Sequence, residues 1–161
     1  MLSVATHNLV ETHRLGETIG RNLRGDETFA LMSPLGGGKT SFTQGLAKGI
    51  GAKARVLSPT FVLERIYRGP KFNLHHFDMY RIEAKDTEST GLLDILGEAV
   101  VVVEWAEKIK SLLPADTIWV TIKMGEEDER TFEFKYPEDK NYIFKGVPRP
   151  LGRARDRRSS G

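Results

Sequence analysis

With 161 residues, 39% of them hydrophobic, the chain is long enough for one domain with a single buried core and too short for two ordinary ones. It has no cysteine, which excludes disulfide and thiolate metal chemistry and suits a reducing, cytoplasmic compartment; its longest apolar run, residues 99–103, is far too short to span a membrane. The net charge of +2 is uneven: residues 145–161 carry six basic side chains against Asp156 alone, so the body is mildly acidic and the end of the chain basic.

Leu15, Ile19 and Leu23 recur every four residues and predict a first helix, followed by "TFALM", a buried strand. Next comes "LMSPLGGGKTS", residues 31–41. It resembles the pattern G-x-x-x-x-G-K-[ST], except that Ser33, followed by Pro34, stands where the first glycine belongs. A strand that turns through glycines into a helix aims backbone N–H groups at one point, where the helix dipole also favours negative charge. A polyphosphate fits there. Gly36, Gly37 and Gly38 would let phosphate oxygens approach, Lys39 would reach the β and γ phosphates, and Thr40 would offer a hydroxyl to Mg²⁺. Pro34 has no N–H and stiffens the turn, and it biases Ser33 towards the extended backbone of a strand end, so the altered loop is expected to work.

Phe42, Leu46 and Ile50 share one face of a second helix, and close packing against the sheet is the expected reason for Gly45 and Gly49 within it. "FVLERIY" and "NLHHFDMY" read as strands pairing across Gly69 and Pro70, with His76 and Asp78 on one face and His75 and Phe77 on the other. "AVVVVEW" reads as a central strand covered on both sides, ending in Glu104, with a helix to follow from Ala106. "TIWVTIKM" and "RTFEFKY", joined by the acidic turn "GEEDE", alternate with period two and predict an antiparallel pair. The sum is an α/β domain over residues 1–144 with a mixed sheet, antiparallel at its edge, and a basic tail over 145–161 expected to be disordered when free. Ligands of such sheets gather at the carboxyl ends of the strands, where Glu104 and Asp78 would be carried.

"LGGGKTSFTQGLAKGIG", "SPTFVLERIY", "HHFDMYR" and "VVVEWAEKIKSLLPAD", in this order and spacing, resemble the bacterial TsaE family of small P-loop ATPases over roughly residues 8–136. The resemblance implies a P-loop NTPase-like three-layer domain with a mixed, mainly parallel sheet. It further implies an ATP hydrolase, weak alone, that works with TsaB and TsaD proteins in forming threonylcarbamoyladenosine in tRNA. Carried over, it makes Gly36, Gly37, Gly38, Lys39, Thr40 and Ser41 the ATP cradle, Thr40 and Glu104 the Mg²⁺ ligands, and Asp78 a further acid. Thr60 would sense the γ-phosphate, and Trp105 would lie in a segment that moves with nucleotide state. Arg130 matches a basic position near the nucleotide and equally fits a solvated edge-strand arginine. The chain departs from the family at Ser33-Pro34, where Gly-Asp is usual, and in its arginine-rich tail, either a solvated tail or an RNA-binding arm. Two other readings share the loop. A nucleotide-sensing adaptor would bind ATP without significant turnover, and a small P-loop kinase would need a lid with paired arginines, where only scattered Arg65, Arg68 and Arg81 are present.

Overall fold

The computed structural model describes residues 1–34, 37–53, 55–57 and 64–148. Eight strands form one sheet: β1 (Leu2–Thr6), β2 (Thr28–Met32), β3 (Arg55–Leu57), β4 (Glu64–Arg68), β5 (Asn73–Asp78), β6 (Val100–Glu104), β7 (Ile118–Met124) and β8 (Arg130–Lys135). Their spatial order is β1-β8-β7-β2-β6-β5-β4-β3. Parallel pairing is confined to the four central strands, β7 with β2, β2 with β6 and β6 with β5. The antiparallel part reaches both edges rather than one: β7, β8 and β1 on one side, and the β4–β5 hairpin with β3 on the other. The cause is chain economy. Hairpins such as β4–β5 need only a short turn, whereas every parallel pairing requires a crossover.

Alternation along the strands sorts the core into two layers. Phe29 and Leu31 of β2 and Val100 and Val102 of β6 face helices α1 (Leu9–Arg21) and α2 (Lys39–Gly49). Ala30, Val101 and Val103 face the opposite side, covered by short α3 (Leu92–Ile95) and the 3₁₀ segment Ala106–Leu112 through Leu92, Ala106 and Ile109. This segment replaces the helix expected from Ala106: Trp105 before it has φ 60°, and Ile109 breaks the helical geometry with φ −123°.

Helix α1 starts where the Asn8 side chain accepts the Glu11 N–H at 2.8 Å. Its partner is α2, and here the glycines find their reason. A Cβ on Gly45 would lie 2.1 Å from His13 O, and one on Gly49 2.4 Å from Glu17 O; reciprocally, one on Gly16 would meet Phe42 O at 2.3 Å and one on Gly20 Leu46 O at 2.4 Å. The close contact is therefore with α1, not with the sheet. On its other side α2 sends Phe42 into the sheet layer, where its ring lies 5.2 Å from Phe132 of β8. These two contacts set the position of the α2 N-terminus, on which the site depends.

At the far end the body runs past residue 144. The Asn22 side-chain amide donates to Ile143 O and Lys145 O, each at 2.8 Å, and Val147 is buried in the core. The basic tail thus begins later than residue 145, and residues 149–161 lie outside the described ones.

Candidate functional site

Strand β2 ends at Met32, and the chain turns into α2 through the glycine loop. Pro34 O accepts both the Gly37 N–H at 3.1 Å and the Ser33 hydroxyl at 2.9 Å. A Cβ on Gly37 would fall 2.2 Å from Ser33 Oγ, so glycine is required there by close approach. Gly38 caps the helix with φ 94°, the left-handed region that glycine enters without strain. Helical bonding starts with the Phe42 N–H to Gly38 O, so the N–H groups of the preceding turn face outward from the helix start. The Gly37 N–H, by contrast, is held within the turn.

Lys39 begins α2, and its side chain folds back rather than reaching into water. Its Nζ donates to Ser33 O at 3.4 Å and lies 4.6 Å from the centre of the Trp105 ring. The Trp105 ring packs in turn on Tyr80 at 5.0 Å. The loop lysine, the residue after Glu104 and the residue two beyond Asp78 therefore touch in series.

Strands β2, β5 and β6 are parallel and end at the same edge, which brings the acids together. Leu31, Glu104 and Asp78 stand opposite one another in register, on the α2 face. One pairing position back, Arg65 stands opposite His76 on that same face. His76 Nε2 donates to Glu104 Oε1 at 3.0 Å, and its buried Nδ1 has no hydrogen-bond partner among the described residues. Burial alone would push the Glu104 carboxyl up. The His76 hydrogen bond and the electrostatic pull of His76, Lys39 and Arg65 outweigh it and hold the group below the ordinary carboxylate range, so Glu104 is ionised. Asp78 Oδ1 accepts the Tyr80 N–H at 3.0 Å and is only half-buried. His75 points to the other face and bonds Glu64 Oε1 through Nδ1 at 2.6 Å.

Arg130 is no solvated edge residue. It is 5% exposed, and its Nε donates to Gly37 O at 3.2 Å while Nη1 donates to the carbonyls of Glu127 and Glu129 at 2.8 and 2.7 Å. The guanidinium thereby ties the loop backbone to the start of β8. Of the other residues singled out by sequence, Gly37, Gly38, Lys39, Thr40 and Ser41 line one cavity of about 380 Å³. Leu9 and Gln44 line it too, and sequence reasoning missed both; their signal is weak, since Leu9 reads only as the start of a helix. Arg65, one of the scattered arginines, stands opposite His76 on the face that carries Glu104, and its charge adds to the pull that holds the Glu104 carboxyl low. Gly36 and Thr60 lie outside the described residues. Among the described residues no group of three or more His, Asp or Glu could hold a metal ion by itself.

Fold and site together define an α/β protein with a glycine loop, a buried lysine at a helix start and a carboxylate pair on adjacent parallel strand ends. The sequence model of the family described as "Threonylcarbamoyl adenosine biosynthesis protein TsaE" matches residues 6–132. The chain is 35% identical over 130 residues to the tRNA threonylcarbamoyladenosine biosynthesis protein TsaE of Bacillus subtilis (strain 168), covering 80% of this chain and 82% of that one. To the protein of the same name from Aquifex aeolicus (strain VF5) it is 37% identical over 122 residues, covering 74% and 85%. A crystal structure of Bacillus subtilis YdiB superposes with a TM-score of 0.71 at 27% identity, covering 89% of this chain and 91% of that one. The chain belongs to the TsaE family, whose members take part in the biosynthesis of threonylcarbamoyladenosine in tRNA.

Proposed function

We propose that the chain is a Mg²⁺-dependent ATPase subunit with a P-loop NTPase-like fold, which acts with TsaB and TsaD proteins in the cytoplasm to support threonylcarbamoyl modification of tRNA. One arrangement carries the reading: Lys39 at the start of α2 lies against the ring of Trp105, the residue that follows Glu104 at the end of β6, the strand paired with the one that leads into the loop. The outward N–H groups of the first helical turn receive the phosphates of ATP, and Lys39 leaves the Trp105 ring to meet them. The Thr40 hydroxyl and the Glu104 carboxylate are hard oxygen donors of the kind Mg²⁺ takes, completed by phosphate oxygens and water. Bound Mg²⁺ would offset charge on the β and γ phosphates. His76 holds Glu104 in one orientation, Asp78 supplies a second carboxylate beside it, and Arg130 braces the loop through Gly37. Thr60 is assigned to the γ-phosphate on the family resemblance. tRNA is reached through the partner proteins or through the basic residues after 148.

A single domain of this size leaves the γ-phosphate open to water, so hydrolysis is slow alone and faster once a partner covers the site. The test is ATP turnover with and without purified TsaB, TsaD and tRNA, in the natural chain and in Glu104→Gln. The expected result is stimulation by the partners, and a loss on the order of 10²-fold in the variant with much of the nucleotide binding retained. Equal rates with and without partners would count against the assembly, and near-normal turnover in Glu104→Gln would remove that residue from the chemistry.

A further inference from the structure

Past the last 3₁₀ segment the chain runs backwards along α1. Asn22, just beyond the helix, donates to Ile143 O and Lys145 O, and one turn earlier in α1 a Cβ on Gly146 would lie 3.5 Å from Thr18 Cγ2. Gly146 and Pro148 then line a groove of about 620 Å³ between β1 and α1, walled by Val4, Ala5 and Leu15. Arg14, Glu11 and His7 lie along it towards the start of α1. Strand β1 is at one end of the sheet, so among the described residues no strand pairs with its outer edge. The groove leads to acids. Thr6 pairs with Arg130 across β1 and β8, which sets the turn before β8 beside His7, with Glu126, Glu127, Asp128 and Glu129 all exposed. Glu11 bonds His7 at 3.0 Å, and His7 is held above its ordinary range by that bond first and also by the charge of Glu129. Arg130 does not answer these acids, because its guanidinium is turned inward onto backbone carbonyls.

We propose that this groove is the seat of the chain's own basic end, residues 149–161, whose arginines are laid on Glu11 and the acidic turn. Pro148 starts that segment inside the groove and heading along it. The length suffices. About 10 Å of α1 separates Thr18 from Glu11, and the five residues from Pro148 to Arg153 span up to about 17 Å when extended. The order of the sequence fits the order of the walls. Pro150, Leu151 and Gly152 carry no charge and pass the apolar walls and Arg14, which would repel an arginine; Arg153, Arg155, Arg157 and Arg158 follow, where the acids begin. Single ion pairs between exposed groups are weak. Here several form on a segment tethered at its root, so each later pairing is intramolecular and draws on a high effective concentration. Because Arg130 holds the carbonyls of Glu127 and Glu129 and, through Nε, Gly37 O, the stowed arm ends beside the glycine loop with its charge answered from within the chain.

The chain has no cysteine, so Ser159→Cys gives one site for a nitroxide spin label directly after Arg158. In the full isotope-labelled chain at about 0.1 M salt, the label should erase most of the amide signal of Ala5, His7, Glu11 and Glu129. Tyr67 on β4, six strand spacings or about 29 Å from β1, should keep its signal. Salt at about 1 M, where the screening length falls from about 10 Å to about 3 Å, should restore the lost signals. So should the combined change Glu126→Gln, Glu127→Gln, Asp128→Asn and Glu129→Gln, confined to exposed side chains and expected to leave the thermal unfolding midpoint nearly unchanged. Three results would each overturn the seat. Signal loss that survives either the high salt or the neutral variant would mean that the acids do not hold the arm. No loss at His7 and Glu11 at low salt would mean that the arginines are left to an external anion. Loss of equal size when the spin-labelled chain is mixed with an isotope-labelled chain that lacks the label would place the arm on a second copy.

Discussion

Replacing Gly45 by alanine sets two effects of opposite sign against each other. Helix propensity alone says that Gly→Ala in the middle of α2 stabilises by about 1 kcal/mol. The structure says otherwise. The new Cβ would lie 2.1 Å from His13 O, 3.0 Å from Glu17 N and 3.0 Å from the Gly16 Cα, all backbone atoms of α1 that no rotamer change can move aside. Ordinary contact begins near 3.4 Å, so α1 and α2 must part by more than 1 Å, and the reciprocal contacts at Gly16, Gly20 and Gly49 loosen together. Overpacking of this kind costs about 1–3 kcal/mol and, with rigid backbone on both sides, the upper end applies. The net expectation is destabilisation by about 2 kcal/mol after the propensity gain is subtracted. Because α2 presents Lys39, the shift should also weaken nucleotide binding in the fraction that remains folded. Urea unfolding of natural and variant chains measures the first effect and calorimetric titration with ATP the second. A Gly45→Ala chain more stable than the natural one would refute the packing argument.

Two further outcomes follow from the loop and the carboxylate. Ser33→Gly keeps the carbonyl that receives Lys39 and loses only the hydroxyl bond to Pro34 O, so ATP affinity should change by less than about 1 kcal/mol, whereas Lys39→Ala should cost about 2 kcal/mol or more. ATP binding seen only after Ser33→Gly, by the same titration, would mean that the natural loop is not a working one. Glu104 has a folded pKa below its unfolded value, so its contribution to stability is present above the unfolded value and is lost as pH falls through the folded one. The stability difference between the natural chain and Glu104→Gln should therefore shift in favour of the variant as pH drops from about 5 to about 3. A difference independent of pH over that range, from denaturant unfolding at each pH, would contradict the assigned electrostatics.

What the sequence made legible is what periodicity and local chemistry encode. The unbroken valines of β6, the alternation of β7 and β8 and the strand-glycine-helix order around Lys39 all appear where their patterns placed them. The β4–β5 hairpin does as well, across Gly69 and Pro70. The first strand was not read: Leu2 and Val4 alternate correctly, but a five-residue strand gains its stability from β8, which lies more than a hundred residues away. The segments Ala84–Thr90 and Glu138–Phe144 also went unread, since short 3₁₀ stretches bury too few side chains to show a period. In the site, His76 and Glu104 were visible as residues but their bond was not, because it depends on the parallel register of β5 with β6. In sequence Arg130 fits a nucleotide site and a solvated position equally, and only the burial of its guanidinium among backbone carbonyls excludes the second. Gly45 and Gly49 announce a close approach, but the sheet is the wrong surface: the backbone they meet is that of α1, which helix periodicity alone does not reveal.

The burial of Lys39 reaches beyond geometry. An ammonium in water keeps a tightly held hydration shell, and stripping it is part of the cost when such a group meets an anion. In this chain Lys39 is only 7% exposed, with a carbonyl and an indole face standing where its water would be. Dehydration of the cation is thus completed during folding, at the expense of fold stability, and an arriving phosphate meets a cation already bare. Substitutions that steady the empty protein by letting water back to Lys39 should therefore make it a poorer host for anions, a coupling between stability and affinity that acts through hydration rather than through any contact with the ligand.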